Sequence, residues 1–434
     1  MREDWGKTRA HDLVGILHKN IDIEIDFGDA AYADLPVFLQ FKVACVACGR
    51  ARISCDCVTV FKGVQLEHLQ FISKNHGPDP PSELLPKVPF GKVGTIEFSH
   101  EFNAPLANTT IHWPATLHTI IFGNFDQPLV NVVWPTSLRS ITFGFNFNRP
   151  IVGPIWPDTL NSISFGTRFN QPLHLVEWPD SLETITFGYR FDQPIHGVTW
   201  PASLKTITFG YHFDQPIHGF AWPDSLETIT FGIGFNQPIV GVQWPISLRS
   251  ITFRTLFNKP IVGVQWPNGL RSITFGRDFD QIIEGVQWPD SLRSITFGDN
   301  FHYPIRHVRW PTSLRSITFG YDINRPIVGV EWPAGLQTIT FERDFDKPIV
   351  GVQWPAALQT ITFGRNFNQP LVGVSWPAGL QTIIFGLKFN QPVVGVDWPV
   401  GLQTIVFGTE FDHPIAGVTW ANSVQAYRVR DNSY

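Results

Sequence analysis

Apolar residues return along this chain at a fixed interval. From Trp244 to Gln265 the apolar positions that recur are Trp244, Leu248, Ile251, Phe253, Phe257, Ile261, Val262 and Val264, and nearly the same set returns every 22 residues. Ile251 and Phe253 stand two apart, so in an extended chain they share one face while Thr252 points to the other. That alternation predicts a short strand in each copy. Glycine ends the strand in most copies, and Asn or Asp four residues further on fits a tight turn. Two prolines per copy, such as Pro245 and Pro260, leave no room for a helix and favour extended backbone. Each copy therefore reads as one strand, a turn and an extended return.

Numbered from its Trp as position 1, the copy is W-P-x-x-L-x-x-I-T-F-G-x-x-F-N-Q-P-I-V-G-V-x. Fourteen copies begin Trp-Pro, from Trp113 to Trp398, and an imperfect one, TIEFSHEFNAPL, precedes them from Thr95. A fixed period of this length marks a solenoid, in which each unit contacts only its neighbours. Stacked copies would align their strands in a parallel sheet and close a core of Leu, Ile, Phe, Phe, Ile and Val.

The motif F-N-Q-P-I, followed by x-P-x-S-L-x-x-I-x-F-G, resembles the FNIP repeat, a relative of the leucine-rich repeats. The resemblance runs from near Thr95 to Trp420. It implies a mainly β, leucine-rich-repeat-like parallel β-solenoid of about 15 coils. One departure is Trp before Pro, as in Trp244-Pro245, where the familiar form mostly has Leu or Ile. A row of Trp packed at the coil corner, about 4.8 Å from copy to copy, is the expected role. A buried indole N–H needs a partner. The competing role is a row of exposed rings that bind sugar.

The array divides the chain into a non-repetitive region and cap at 1–74, a Pro-rich linker at 75–89, the solenoid at 90–420 and a C-terminal cap or tail at 421–434. Solenoid ends need polar covers, and ANSVQAYRVRDNSY turns polar within a few residues of Trp420.

Composition narrows the function. Apolar residues make up 43% and charged residues 16% of the 434, so a large core is expected and disorder is not. A net charge of −5 argues against nucleic acid as partner. Without an 18-residue apolar run or a signal-like N-terminus, no membrane is expected, and an intracellular, most readily cytoplasmic, location follows. No G-x-S-x-G, H-E-x-x-H or phosphate-cradling loop is present, so an enzyme is not expected.

Several rows then stand out. Position 6 is Arg in four consecutive copies, Arg249, Arg271, Arg293 and Arg315. Stacked arginines repel by about 1 kcal/mol per adjacent pair in water, and they suit bidentate contact with an acidic partner. Recent duplication explains the row equally. Positions 7 and 9 are mostly Ser or Thr, a hydroxyl array that either suits an exposed strand or orders water as ice-binding surfaces do. Position 19 is His in three copies, His174, His196 and His218. The copy from Trp288 departs furthest from the template and carries His302, Tyr303, Arg306, His307 and Arg309, which with the arginine row form the candidate partner-binding surface.

Outside the repeats, Cys45, Cys48, Cys55 and Cys57 follow C-x2-C-x6-C-x-C, a candidate zinc site beside the alternative of free thiols. The family resemblance also implies an F-box that would join ubiquitin-ligase subunits, echoed only by Leu35-Pro36 and the apolar residues after it.

The expected function is a non-catalytic protein–protein interaction scaffold, in the role of an adaptor, using a face roughly 70 Å long at about 4.8 Å per coil. The alternatives are a structural rod built into a larger assembly, or an ice- or glycan-binding surface through the Thr or Trp rows.

Overall fold

A computed structural model describes residues 94–98, 100, 102–103, 105–107, 113–420 and 424–428, and the backbone of strands at 41–45, 50–54 and 68–72. The chain forms two compact units, Met1–Leu204 and Lys205–Tyr434. Among the described residues there is no helix.

The first unit contains β1 (Phe41–Cys45), β2 (Arg50–Ser54), β3 (His68–Ile72), β4 (Thr95–Phe98), β5 (Thr119–Ile121), β6 (Ser140–Thr142), β7 (Ser162–Ser164) and β8 (Thr184–Thr186). Strands β1 and β2 are antiparallel, and from β2 to β8 every neighbour pairs in parallel. The parallel sheet thus reaches back into the non-repetitive region.

The second unit begins with β9 (Thr206–Thr208), β10 (Thr228–Thr230), β11 (Ser250–Thr252), β12 (Ser272–Thr274), β13 (Ser294–Thr296) and β14 (Ser316–Phe319). It continues with β15 (Thr338–Phe341), β16 (Thr360–Thr362), β17 (Thr382–Ile384), β18 (Thr404–Phe407) and β19 (Gln425–Arg428), all parallel in sequence order. Like positions pair across each step, so Ile251 faces Ile273, then Ile295, then Ile317. The segment after Trp420 contributes β19, a further rung on β18.

Each coil turns three times, not once. In the copy from Trp244 the N–H groups of Leu248, Phe257 and Val264 donate to the carbonyls of Pro245, Arg254 and Ile261, three residues back, at 3.1, 3.4 and 3.2 Å. These three β-turns separate the strand side from two extended sides. The turn closed by Val264 has Gly263 at its third position with φ of 89°, the geometry of a type II turn. Asn131 takes the same place with φ of 62°, while Leu175 and His307 occupy it without positive φ.

The core follows from the strand alternation. Leu248, Ile251, Phe257 and Ile261 are fully buried, and Phe253 and Val264 are 1% exposed. Burying such a side chain contributes about 1.5–3 kcal/mol. Phe253 and Phe257 stack at 4.1 Å, and Phe257 stacks on Phe279 of the next coil at 6.1 Å.

Between strands, polar side chains tie coil to coil. Asn236 Oδ1 accepts the backbone N–H of Asn258, Asn258 Oδ1 that of Asp280, and Asn368 Oδ1 that of Asn390, at 2.9 to 3.0 Å. The same ladder runs in the first unit through Asp126, Asn148 and Asn170. Gln at the next position reinforces it: Gln281 Nε2 donates to Asn258 Oδ1 at 2.7 Å. At position 4, Ser291 and Ser313 hydroxyls donate to the carbonyls of Leu270 and Leu292 at 2.6 Å.

Trp occupies the extended side that leads back to the strand. Trp266 and Trp288 are 7% and 8% exposed, so the row is core and not an open sugar platform. Ring centroids of stacked pairs such as Trp244–Trp266 and Trp376–Trp398 lie 6.2 and 6.4 Å apart, not 4.8 Å. No strand ladder holds that side of the coil at strand spacing. Among the described residues, eight of the Trp rings also meet a Phe edge-on, as Trp288 does Phe275 at 68°. Trp113 Nε1 donates to the Val133 carbonyl at 2.7 Å, but thirteen buried indole N–H groups, from Trp134 to Trp398, have no hydrogen-bond partner among the described residues. The expectation that each would find one is not met.

Candidate interaction surface

The arginine row lies on the strand side. Position 6 immediately precedes β11, β12, β13 and β14, and its backbone extends the ladder: the N–H groups of Arg271, Arg293 and Arg315 donate to the carbonyls of Arg249, Arg271 and Arg293 at 2.8 Å. All four side chains are exposed. The outer two fold back on the main chain. Arg249 Nη1 donates to the Gly269 carbonyl at 3.2 Å, and Arg315 Nη1 donates to those of Thr312 and Leu314 at 3.3 and 3.2 Å. Gly269 has no side chain to obstruct that path, since a Cβ there would stand 2.7 Å from Arg249 Nη1. The inner pair, Arg271 and Arg293, faces Ser291 and Ser313 at that position, and neither guanidinium has a hydrogen bond or ion pair among the described residues.

Beside the arginines run the two hydroxyl rows. Ser250, Thr252 and their equivalents are half-buried, flanking the buried Ile. Ser272 Oγ donates to Ser250 Oγ at 2.8 Å, so part of the row is self-satisfied. The surface offers cations along one edge and hydroxyls within.

The divergent copy lies elsewhere on the coil. His302 and Tyr303 follow the turn that ends the strand side, Arg306 and His307 occupy the corner where most copies have Val-Gly, and Arg309 sits on the third side before Trp310. The sequence suggested one combined basic patch, but the turns distribute these residues over other sides than the arginine row. His302 replaces the ladder Asn. Its Nδ1 lies 2.8 Å from Asp280 Oδ1, its N–H reaches the same oxygen at 3.3 Å, and Tyr303 stacks on its ring at 5.1 Å. Arg325 Nε donates to the His302 carbonyl at 2.8 Å.

His174, His196 and His218 are exposed, and among the described residues no group of three His, Cys, Asp or Glu could hold a metal ion. Cys45 closes β1; Cys48, Cys55 and Cys57 lie outside the described residues, as do Leu35 and Pro36. Among the described residues no helix is long and apolar enough to cross a membrane.

One feature escaped the sequence reading. Where the strand side turns, positions 13 and 15 flank the buried position 14 and line an acidic groove of about 640 Å³, with Asp322, Asp344, Asp346 and Glu410 against Lys388. Nearby, Glu342 stands where most copies have Gly. Partial burial, and then the charge of Asp299, raise its carboxyl above the ordinary value of 4.5. The only signal was acidic residues at alternate positions in successive copies.

Parallel strands in register, turn-closed coils and a cross-coil asparagine ladder define a leucine-rich-repeat-like solenoid. Within that class, the FNIP Repeat matches residues 125–168, 169–198, 191–234, 235–278, 279–322 and 345–388, and the chain belongs to the FNIP repeat family. Among solved structures it is similar to CroV588, described as a novel circular leucine-rich-repeat protein, at 27% identity and a TM-score of 0.58, over 90% of this chain and 70% of that one. It also resembles the Drosophila Toll–Spätzle complex in fold, at 13% identity and a TM-score of 0.54, over 87% of this chain and 60% of that one. No curated protein sequence matches the chain.

Proposed function

We propose that this protein is a non-catalytic interaction scaffold whose strand side receives an extended, acidic segment of a partner protein along Arg249, Arg271, Arg293 and Arg315. The observation that carries this reading is the inner pair. Arg271 and Arg293 stand in register where hydrogen-bonded strands begin, exposed, and among the described residues their guanidinium groups have no hydrogen-bond or ion-pair partner. Like charges one coil apart raise each other's energy in the free protein, and a carboxylate-bearing chain relieves that repulsion while accepting forked hydrogen bonds. The neighbouring hydroxyls add neutral donors and acceptors, which suits a peptide backbone. A repeat surface of this kind recognises by many similar contacts, so affinity grows with the length of the acidic segment.

The test is fluorescence anisotropy with a labelled oligoglutamate peptide, and affinity purification from the native source with the full chain. Arg271→Glu/Arg293→Glu is expected to weaken peptide binding at least ten-fold and to lose the main co-purifying protein. Retention of both would overturn the reading. Binding should weaken with added salt, as exposed charges do.

A further inference from the structure

The corner opposite the strand side carries a different row. At position 19 of the second unit, Val240, Val262, Val328, Val350, Val372 and Val394 are 44–58% exposed. They form an apolar ridge in two stretches, Val240–Val262 and Val328–Val394. A Cβ added at Gly263 would stand 3.9 Å from Val240 Cγ1, one at Gly351 4.0 Å from Val328 Cγ1 and one at Gly373 3.9 Å from Val350 Cγ1, so these three valines lean over the glycine of the next turn. Exposed prolines at position 17, and Ile282 at 54% in the copy where Pro is missing, widen the apolar strip. Regular apolar ridges of this extent mark contact surfaces on otherwise polar solenoids.

Two charges interrupt the ridge at its middle. Position 19 reads Val240, Val262, Glu284, Arg306, Val328, Val350 along successive coils. Glu284 and Arg306 are both exposed, and neither has an ion-pair partner among the described residues. Arg306 leans away from Glu284, since a Cβ at Gly329 of the following coil would stand 3.1 Å from its Nε.

This order is self-complementary under a two-fold axis. Place the axis between the coils of Glu284 and Arg306 and lay a second copy antiparallel on the ridge. Glu284 then meets Arg306 of the other copy, and Arg306 meets its Glu284. One step outwards Val262 meets Val328, and two steps outwards Val240 meets Val350. We infer that this corner is an isologous homodimer contact, with a second copy of this chain as its occupant. Valines alone would let the two ridges slide by whole coils; the inverted charge pair sets one register, because every shifted alignment buries a charge against Val. The contact uses a corner of the coil remote in sequence from position 6, so it stands or falls independently of the acidic-segment reading.

Sedimentation velocity on the full chain over a concentration series tests it. A reversible monomer–dimer equilibrium is expected. Arg306→Glu sets Glu against Glu at both ends of the axis and should weaken the dimer at least ten-fold. Glu284→Arg/Arg306→Glu restores opposite charges in reverse and should recover it. Val350→Asp, with an unchanged melting temperature as its folding control, should weaken it as Arg306→Glu does. A monomer at every concentration, a dimer indifferent to Arg306→Glu, or failure of the double exchange to restore association would each overturn the proposal.

Discussion

Asn258 holds Asp280 of the next coil: its Oδ1 accepts the Asp280 backbone N–H at 3.0 Å and Nε2 of Gln281 at 2.7 Å. The motif's Asn and Gln are thus cross-coil fasteners: Asn accepts a backbone N–H that the turn leaves outside the strand ladder, and Gln donates to the same Asn oxygen. Asn258→Ala leaves that N–H without its acceptor and should cost about 1–3 kcal/mol. Asn258→Asp keeps the acceptor and should cost less than about 0.5 kcal/mol, as Asp126, Asp214 and Asp346 already serve there. Urea midpoints for the two variants check the difference.

His302 breaks this ladder. No side-chain oxygen at 302 is placed to accept from Asn324, whereas Asn324 Oδ1 accepts from Asp346 at 3.1 Å. His302→Asn should therefore restore a rung and stabilise the protein by about 0.5–1.5 kcal/mol, read as a rise in melting temperature. An unchanged or lowered value would show that the pair with Asp280 is worth more than the rung.

Two glycines in the repeat are needed for different reasons. A Cβ at Gly276 would stand 1.7 Å from the Arg254 carbonyl oxygen of the previous coil, so Gly276→Ala must push two coils apart. Gly241 has φ of 85° and nothing within 4 Å of an added Cβ, so Gly241→Ala meets backbone strain alone, about 1–2 kcal/mol. Gly241→Asn should cost less than Ala, as Asn131 adopts φ of 62° in the equivalent turn. Thermal unfolding should rank the three with Gly276→Ala worst.

Glu342 makes stability depend on pH. Its folded carboxyl binds a proton more tightly than the unfolded one, through burial and then Asp299. Between pH 4.5 and the raised folded value the native state holds more protons, so stability falls as pH rises through that window. Glu342→Gln should raise the melting temperature at pH 7 and make little difference at pH 4. An effect of equal size at both would remove charge as the cause.

The period, the strand in each copy, the parallel stacking and the six-residue core were legible in the sequence, because alternation and repetition are local properties that stacking merely multiplies. The hydrogen bonds of Asn258 and Ser291 were not. Those residues read as turn formers, and their acceptor and donor roles exist only once a second coil lies beside them. The arginine row was visible as a row, but its division into a tied outer pair and an unpaired inner pair depends on whether Gly269 or Ser291 stands in the neighbouring coil. Likewise Arg293 and Arg306 are close in sequence but lie on different sides of the coil, because the turn after Gly298 intervenes.

The 22-residue period, with Pro to forbid helix and Gly to permit the corner turn, decided by itself that this chain winds into a β-solenoid. Each of those constraints acts within a few residues of its own position. Tertiary structure alone decided which polar groups face a partner and which face another coil, and it left thirteen indole N–H groups buried without an acceptor among the described residues. A side chain's partners across a solenoid are set by the neighbouring coil, and no single copy contains that information.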